Sequence, residues 1–276
     1  MQPEIRENTS TKQSWSVIHP LSPEDSAAMT TLRSAVAAMK GKLEGVGARA
    51  PFNGIMERVP SPDGIAFEAD SVGGISGWWA MPTRARKSAA ILHLHGGWFN
   101  WGAAQAFRKL VGHIAIAAGA DAFIPDYRLA PEHPFPAALK DAEACYRGLI
   151  DRGIKKIALT GESFETRAEA DLYFVKSQVA GLVRSYLGEN DPKNPLASPL
   201  YGDLAGLPAV RVHVGDDEVL LDDSRRYVER AVAAGVDAKL DLWMGMPHGF
   251  VSGVGNLHAA NQALGAIGTF LNDLLE

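Results

Sequence analysis

Short apolar runs alternate with amphipathic stretches along most of this chain, and that alternation limits the fold more than any other feature. Residues 65–69, 77–81, 89–94, 120–125, 156–159, 209–214 and 238–243 read as strands. Residues 104–119, 136–152, 165–187, 224–234 and 256–275 read as helices. The run 89–94, AAILHL, is nearly all apolar, as a strand covered on both faces must be. A further helix is expected at 22–45. Ser22 suits its N-cap, Pro23 its first position, and Glu24 and Asp25 the positive end of its dipole. Strands alternating with helices predict an α/β class fold, a mostly parallel sheet with helices on both faces. Ligands of such sheets bind beyond the carboxyl ends of the strands.

Composition narrows the function classes. The 276 residues suffice for one core with a small subdomain. A formal charge of −5 argues against nucleic acid, whose phosphates select basic surfaces. Cys145 is the only cysteine, so no internal disulfide can form. The first fourteen residues are polar without an apolar h-region, and no apolar run is long enough for a membrane span. A cytoplasmic protein, with a homodimer as one open assembly, is the expectation.

Four motifs lie at the carboxyl ends of predicted strands. His95-Gly96-Gly97-Trp98 follows 89–94, and paired glycines let backbone N–H groups approach a developing anion. The stretch 126–136, DYRLAPEHPFP, is stiffened by three prolines, and Asp126 and Arg128 are expected to pair within it. The acidic run 216–218 follows 209–214. Met246-Pro247-His248-Gly249-Phe250 follows the last strand, where a histidine can act as a base near neutral pH.

His-Gly-Gly followed some thirty residues later by DYRLAPEHPFPAAL resembles the hormone-sensitive-lipase-like branch of the α/β-hydrolases. The likeness runs from about Val59 to the end of the chain. It implies an eight-stranded sheet, a helical cap built partly from the N-terminus, and a Ser-Asp-His triad. Residues 1–50 would form the cap segment, 51–276 the core, and 165–200 a second cap segment. His248 matches the triad base. The acid is Asp217 when counted from Gly215 and Glu218 when counted back from the histidine, with Asp217 the first choice. Gly96, Gly97 and the backbone of Phe164 would form the oxyanion hole. Trp98, Phe99 and Trp101 would line an acyl pocket or serve as ordinary core.

The nucleophile is Ser163, in Gly161-Glu162-Ser163-Phe164-Glu165. The family writes Gly-Asp-Ser-Ala-Gly-Gly here, and the strained strand-to-helix turn favours those small residues. The stretch 165–171, ETRAEAD, resembles a later cap helix of the family instead. A fusion at two similar Gly-x-Ser sites accounts for both departures. It would remove the elbow helix and one central strand, roughly 35–40 residues in the usual architecture. The implied function is serine-dependent hydrolysis of small carboxylic esters or lactones through an acyl-enzyme, without a metal or other cofactor. The alternative is a weak or silent binding protein that kept the fold and lost the elbow.

Overall fold

A computed structural model describes residues 14–161, 172–173 and 176–276. In chain order its strands and helices are β1 (Ser16–His19), α1 (Pro23–Val36), α2 (Arg49–Met56), β2 (Ile65–Val72), β3 (Ile75–Pro82), β4 (Ala89–Leu94), α3 (Ala104–Ala118), β5 (Asp121–Pro125), α4 (Ala137–Asp151), β6 (Lys156–Gly161), α5 (Lys176–Leu187), β7 (Val210–Asp217), α6 (Leu221–Ala233), β8 (Ala238–Pro247) and α7 (His258–Leu275). The α/β reading holds.

The strands form two sheets. One has the order β2-β3-β5-β4-β6, antiparallel from β2 to β5 and parallel beyond. The other is parallel throughout, with the order β1-β8-β7. Along β4, Ile91 faces a core made with α3 and α7, while Leu92 faces a second core with Cys145 and Leu149 of α4. This period of two places helices on opposite faces of the sheet. Among the described residues no strand joins β6 to β7. β6 therefore ends the larger sheet, and its Leu159 is 61% exposed.

The N-terminal helix is shorter than its apolar stripe suggests, ending at Val36 and passing through a 3-10 turn, Ala37–Met39. Ser22 Oγ accepts from Asp25 N at 3.0 Å, as its capping role predicts. The Asp25 carboxylate serves a different helix: it accepts from His258 N (2.7 Å) and Ala259 N (2.9 Å), capping α7. Met29 packs among Met246 and Phe250, the residues flanking the His248 segment. β1 escaped the sequence reading. It is only four residues long and is held by pairing with β8, by a 2.7 Å bond from His19 Nε2 to Asp241 Oδ1, and by stacking of His19 on Trp243 at 3.8 Å.

The stiff loop after β5 is scaffold, but Asp126 and Arg128 do not pair. Asp126 accepts from Ala104 N at 2.7 Å and so caps α3. Arg128 makes a forked contact with the buried Asp141 of α4, its Nη2 reaching Oδ1 at 2.7 Å. Each carboxylate meets the nearest orphaned donors, which lie on other elements.

Candidate active site

The backbone of loop 95–102 is tightly constrained. Gly97 has φ +117°, and a Cβ there would lie 2.3 Å from the carbonyl oxygen of Trp101. Trp98 (φ 61°) and Phe99 (φ 53°) also sit in the left-handed region, which costs roughly 1–3 kcal/mol for each bulky residue. The surroundings hold them there. Asn100 Nδ2 donates to Trp98 O at 2.6 Å, Ala130 N donates to Phe99 O at 2.8 Å, and Arg49 Nε donates to Asn100 O at 2.8 Å. Three successive carbonyls, those of Trp98, Phe99 and Asn100, are thus hydrogen-bonded, which holds the stretch just after Gly96 and Gly97.

Arg49 has a wider role. Its Nη2 also donates to Ala130 O (2.8 Å) and to Glu132 (2.6 Å), so α2 clamps the glycine loop to the loop after β5. His95 underlies the glycines. Its ring stacks on Tyr127 at 4.2 Å, and the Tyr127 hydroxyl donates to its carbonyl oxygen at 2.5 Å. Burial pushes the His95 imidazole down to about 4 and the neighbouring His93 down to about 3. Both are neutral at pH 7.

An acid-stability prediction follows. The unfolded histidines bind protons near the ordinary pKa of about 6.5, while the folded ones do so only near 4 and 3. Below about pH 6.5 the unfolded chain therefore binds more protons. The stabilisation is complete above that pH and falls as pH drops, by roughly 1 kcal/mol per pH unit for each histidine. Urea midpoints at pH 7 and pH 5 will show the decline. Equal midpoints would sink this account of His93 and His95.

At the other end of the site, β8 carries a bulge. Gly215 pairs with Trp243, but Asp217, two residues on, pairs with Pro247, four residues on. Gly245 (φ +74°) lies within the extra length and donates its N–H to Asp216 Oδ1 at 2.5 Å. Bulges re-aim the chain near active sites, and here His248 follows directly. Its Nδ1 lies 3.9 Å from Glu218 Oε2, and both side chains are largely buried. Asp217 instead contacts Arg33 of α1. The sequence's first choice of acid is thus engaged with α1, and the alternative carboxylate faces the imidazole. Asp217 also ends the strand rather than following it, because β7 and β8 run longer than their apolar cores suggest.

Gly96, Gly97, Trp98, Phe99, Gly161 and His248 line one pocket of about 280 Å³. Ser163 and Phe164 lie outside the described residues, as does 165–171 of the expected second cap segment; Gly161 is the last described residue before them. Trp98 is buried, its ring centroid 6.5 Å from that of His248. Phe99 stacks on Tyr186 at 4.2 Å. Trp101 is not a lining residue. It is fully buried among Ala48, Val179 and Leu182, and its indole N–H donates to Gly45 O at 2.8 Å, anchoring the N-terminal segment. Tyr127 was visible within the 126–136 motif, whereas nothing local singles out Arg33 or Arg49.

Comparison with known proteins identifies the family. The α/β-hydrolase fold family matches residues 91–164 and 160–252. An acetyl-hydrolase of Streptomyces hygroscopicus is 31% identical over 219 residues, covering 64% of this chain and 73% of the relative. An esterase of Acinetobacter venetianus is 30% identical over 236 residues, covering 70% of this chain and 78% of its own length. The crystal structure of an esterase from the bacterial hormone-sensitive lipase family superposes with a TM-score of 0.84 at 33% identity, covering 94% of this chain and all of the other. The chain belongs to the α/β-hydrolase family, in its hormone-sensitive-lipase-like branch. The two family matches share residues 160–164, so the same five residues close one match and open the next. The 219 matched positions also exceed the 64% of 276 residues that this chain contributes, so the acetyl-hydrolase has positions without a counterpart here. Both facts are compatible with the fusion expected from the sequence.

Proposed function

We propose that this chain hydrolyses small carboxylic esters, lactones included, through an acyl-enzyme. Ser163 Oγ attacks the acyl carbon while His248 accepts its proton. The N–H groups of Gly96, Gly97 and Phe164 stabilise the oxyanion. As the tetrahedral intermediate collapses, His248 returns the proton to the leaving alcohol; a water then attacks the acyl-serine by the same route and releases the acid. Glu218 orients the imidazole, while Asp217 holds the cap through Arg33. Residues up to 50 act as the cap segment. The setting is cytoplasmic, which suits the buried thiol of Cys145, pushed up to about 12 by burial. No helix among the described residues is long and apolar enough to cross a membrane.

The observation that carries this reading is the single pocket shared by Gly96, Gly97, Gly161 and His248. The names of the acetyl-hydrolase and esterase relatives favour turnover over a silent binding role. A fluorophosphonate probe, followed by peptide mass spectrometry, is expected to label Ser163. Labelling at another serine, or at none while a short-chain aryl ester is still turned over, would sink the assignment.

A further inference from the structure

Arg49 is the first residue of α2, at the positive end of the helix dipole, where a cation is disfavoured. Its guanidinium offsets that by spending its donors on two other loops. Nε donates to Asn100 O and Nη2 to Ala130 O, both at 2.8 Å. The fork closes on Glu132, through Nη1 at 2.9 Å and Nη2 at 2.6 Å. The guanidinium is planar and rigid, so each of these contacts orients the others.

The bond to Asn100 reaches further than one residue. Asn100 O and the Trp101 N–H belong to the same planar peptide unit. Trp101 N donates to Gly97 O at 2.7 Å, and Asn100 N donates to that oxygen at 3.0 Å. Arg49 is therefore one peptide plane away from the carbonyl of Gly97. A second route runs through Ala130: its carbonyl accepts from Arg49, and its N–H donates to Phe99 O at 2.8 Å. The loop is closely packed on itself between these points. A Cβ on Gly102 would lie 2.4 Å from His95 Nδ1. Arg49 does not line the pocket shared by Gly96, Gly97 and His248, so it can act there only through the loop.

We infer that Arg49 is a positioning residue for ester hydrolysis, setting the Gly96-Gly97 backbone so that its N–H groups meet the oxyanion. The inference rests on the esterase reading and deepens it. Oxyanion donors act on charge that develops only in the transition state, so a displaced donor lowers kcat and leaves KM alone.

The test assays the full chain, Arg49→Lys and Arg49→Ala with p-nitrophenyl acetate, with circular dichroism to confirm folding. In both variants kcat is expected to fall by about tenfold to a hundredfold, the scale of a group misplaced by up to roughly 1 Å, with KM nearly unchanged. The inhibition constant of a trifluoromethyl ketone, whose serine hemiketal carries the same oxyanion, should rise by the factor that kcat/KM loses. A lysine ammonium is a point charge that cannot span both carbonyls, so Arg49→Lys should stay impaired, while millimolar guanidinium chloride should raise kcat of Arg49→Ala. By hydrogen exchange, the amides of Asn100, Trp101 and Ala130 should open faster in both variants. Folded variants that keep kcat and inhibitor affinity, or that change only KM, would overturn the inference. Should neither variant fold, rapid exchange at Asn100 and Trp101 in the unaltered chain would overturn it and slow exchange would support it. No ester turnover by the unaltered chain, with exchange still accelerated in the variants, would overturn the esterase reading and leave Arg49 as the residue that sets this loop.

Discussion

Converting His248 to alanine is expected to lower turnover of a short-chain aryl ester by about a hundred- to ten-thousand-fold and to stop phosphonate labelling of Ser163. A serine hydroxyl is a poor nucleophile until a neighbouring base takes its proton, and His248 lines the pocket that Gly96 and Gly97 border. The other histidines near this region are poor substitutes. His93 and His95 are buried, and their depressed pKa values make them weak bases. Initial rates across pH 5–9, with circular dichroism to confirm folding, will measure the effect. A His248→Ala protein that is folded and retains most of its turnover would end the triad assignment, because the other described imidazole lining that pocket, His95, is buried and held at a depressed pKa.

The second large effect separates two adjacent carboxylates. Glu218→Gln is expected to reduce kcat by up to about ten-thousandfold, the scale seen when a serine hydrolase loses the carboxylate that orients its histidine. The charge would be gone while the volume stayed, so the imidazolium formed during attack would lose its stabilisation. Asp217→Asn should change kcat little. Its carboxylate contacts Arg33 on α1, so its loss should act on the docking of α1, raising KM or lowering the thermal midpoint. Measuring kcat and KM for both variants against one ester decides the matter. The reverse pattern, kcat lost in Asp217→Asn and kept in Glu218→Gln, would restore Asp217 as the orienting acid.

The difficulty at this pair shows where local reading stops. Both carboxylates stand in the right stretch, and the motif count leaves one residue of uncertainty. In an extended chain, neighbouring side chains point to opposite sides, so a shift of one residue exchanges the role entirely. Which of the two faces His248 depends on the β8 bulge around Gly245, and so on where β7 and β8 pair. Arg128 illustrates the same limit: its partner, Asp141, is thirteen residues away on the next helix rather than two residues back. Trp101 belongs to an aromatic cluster in sequence, yet it leaves the pocket because Gly45 offers a carbonyl on the opposite side.

What the amino-acid sequence determined by itself is what local physics controls. Strand and helix alternation follows from side-chain periods of two and 3.6. The glycine turn before Trp98, the proline-stiffened loop and the Ser22 cap follow from backbone freedom, ring constraint and orphaned N–H groups. These were enough to specify the α/β class and to bring Gly96, Gly97 and His248 forward as site residues. Only the tertiary structure decided which carboxylate faces His248, where Arg33 and Arg49 fasten the N-terminal segment, and that among the described residues no strand joins β6 to β7. Those outcomes depend on pairings between residues far apart in the chain, whose energies arise only once the strands have chosen their neighbours.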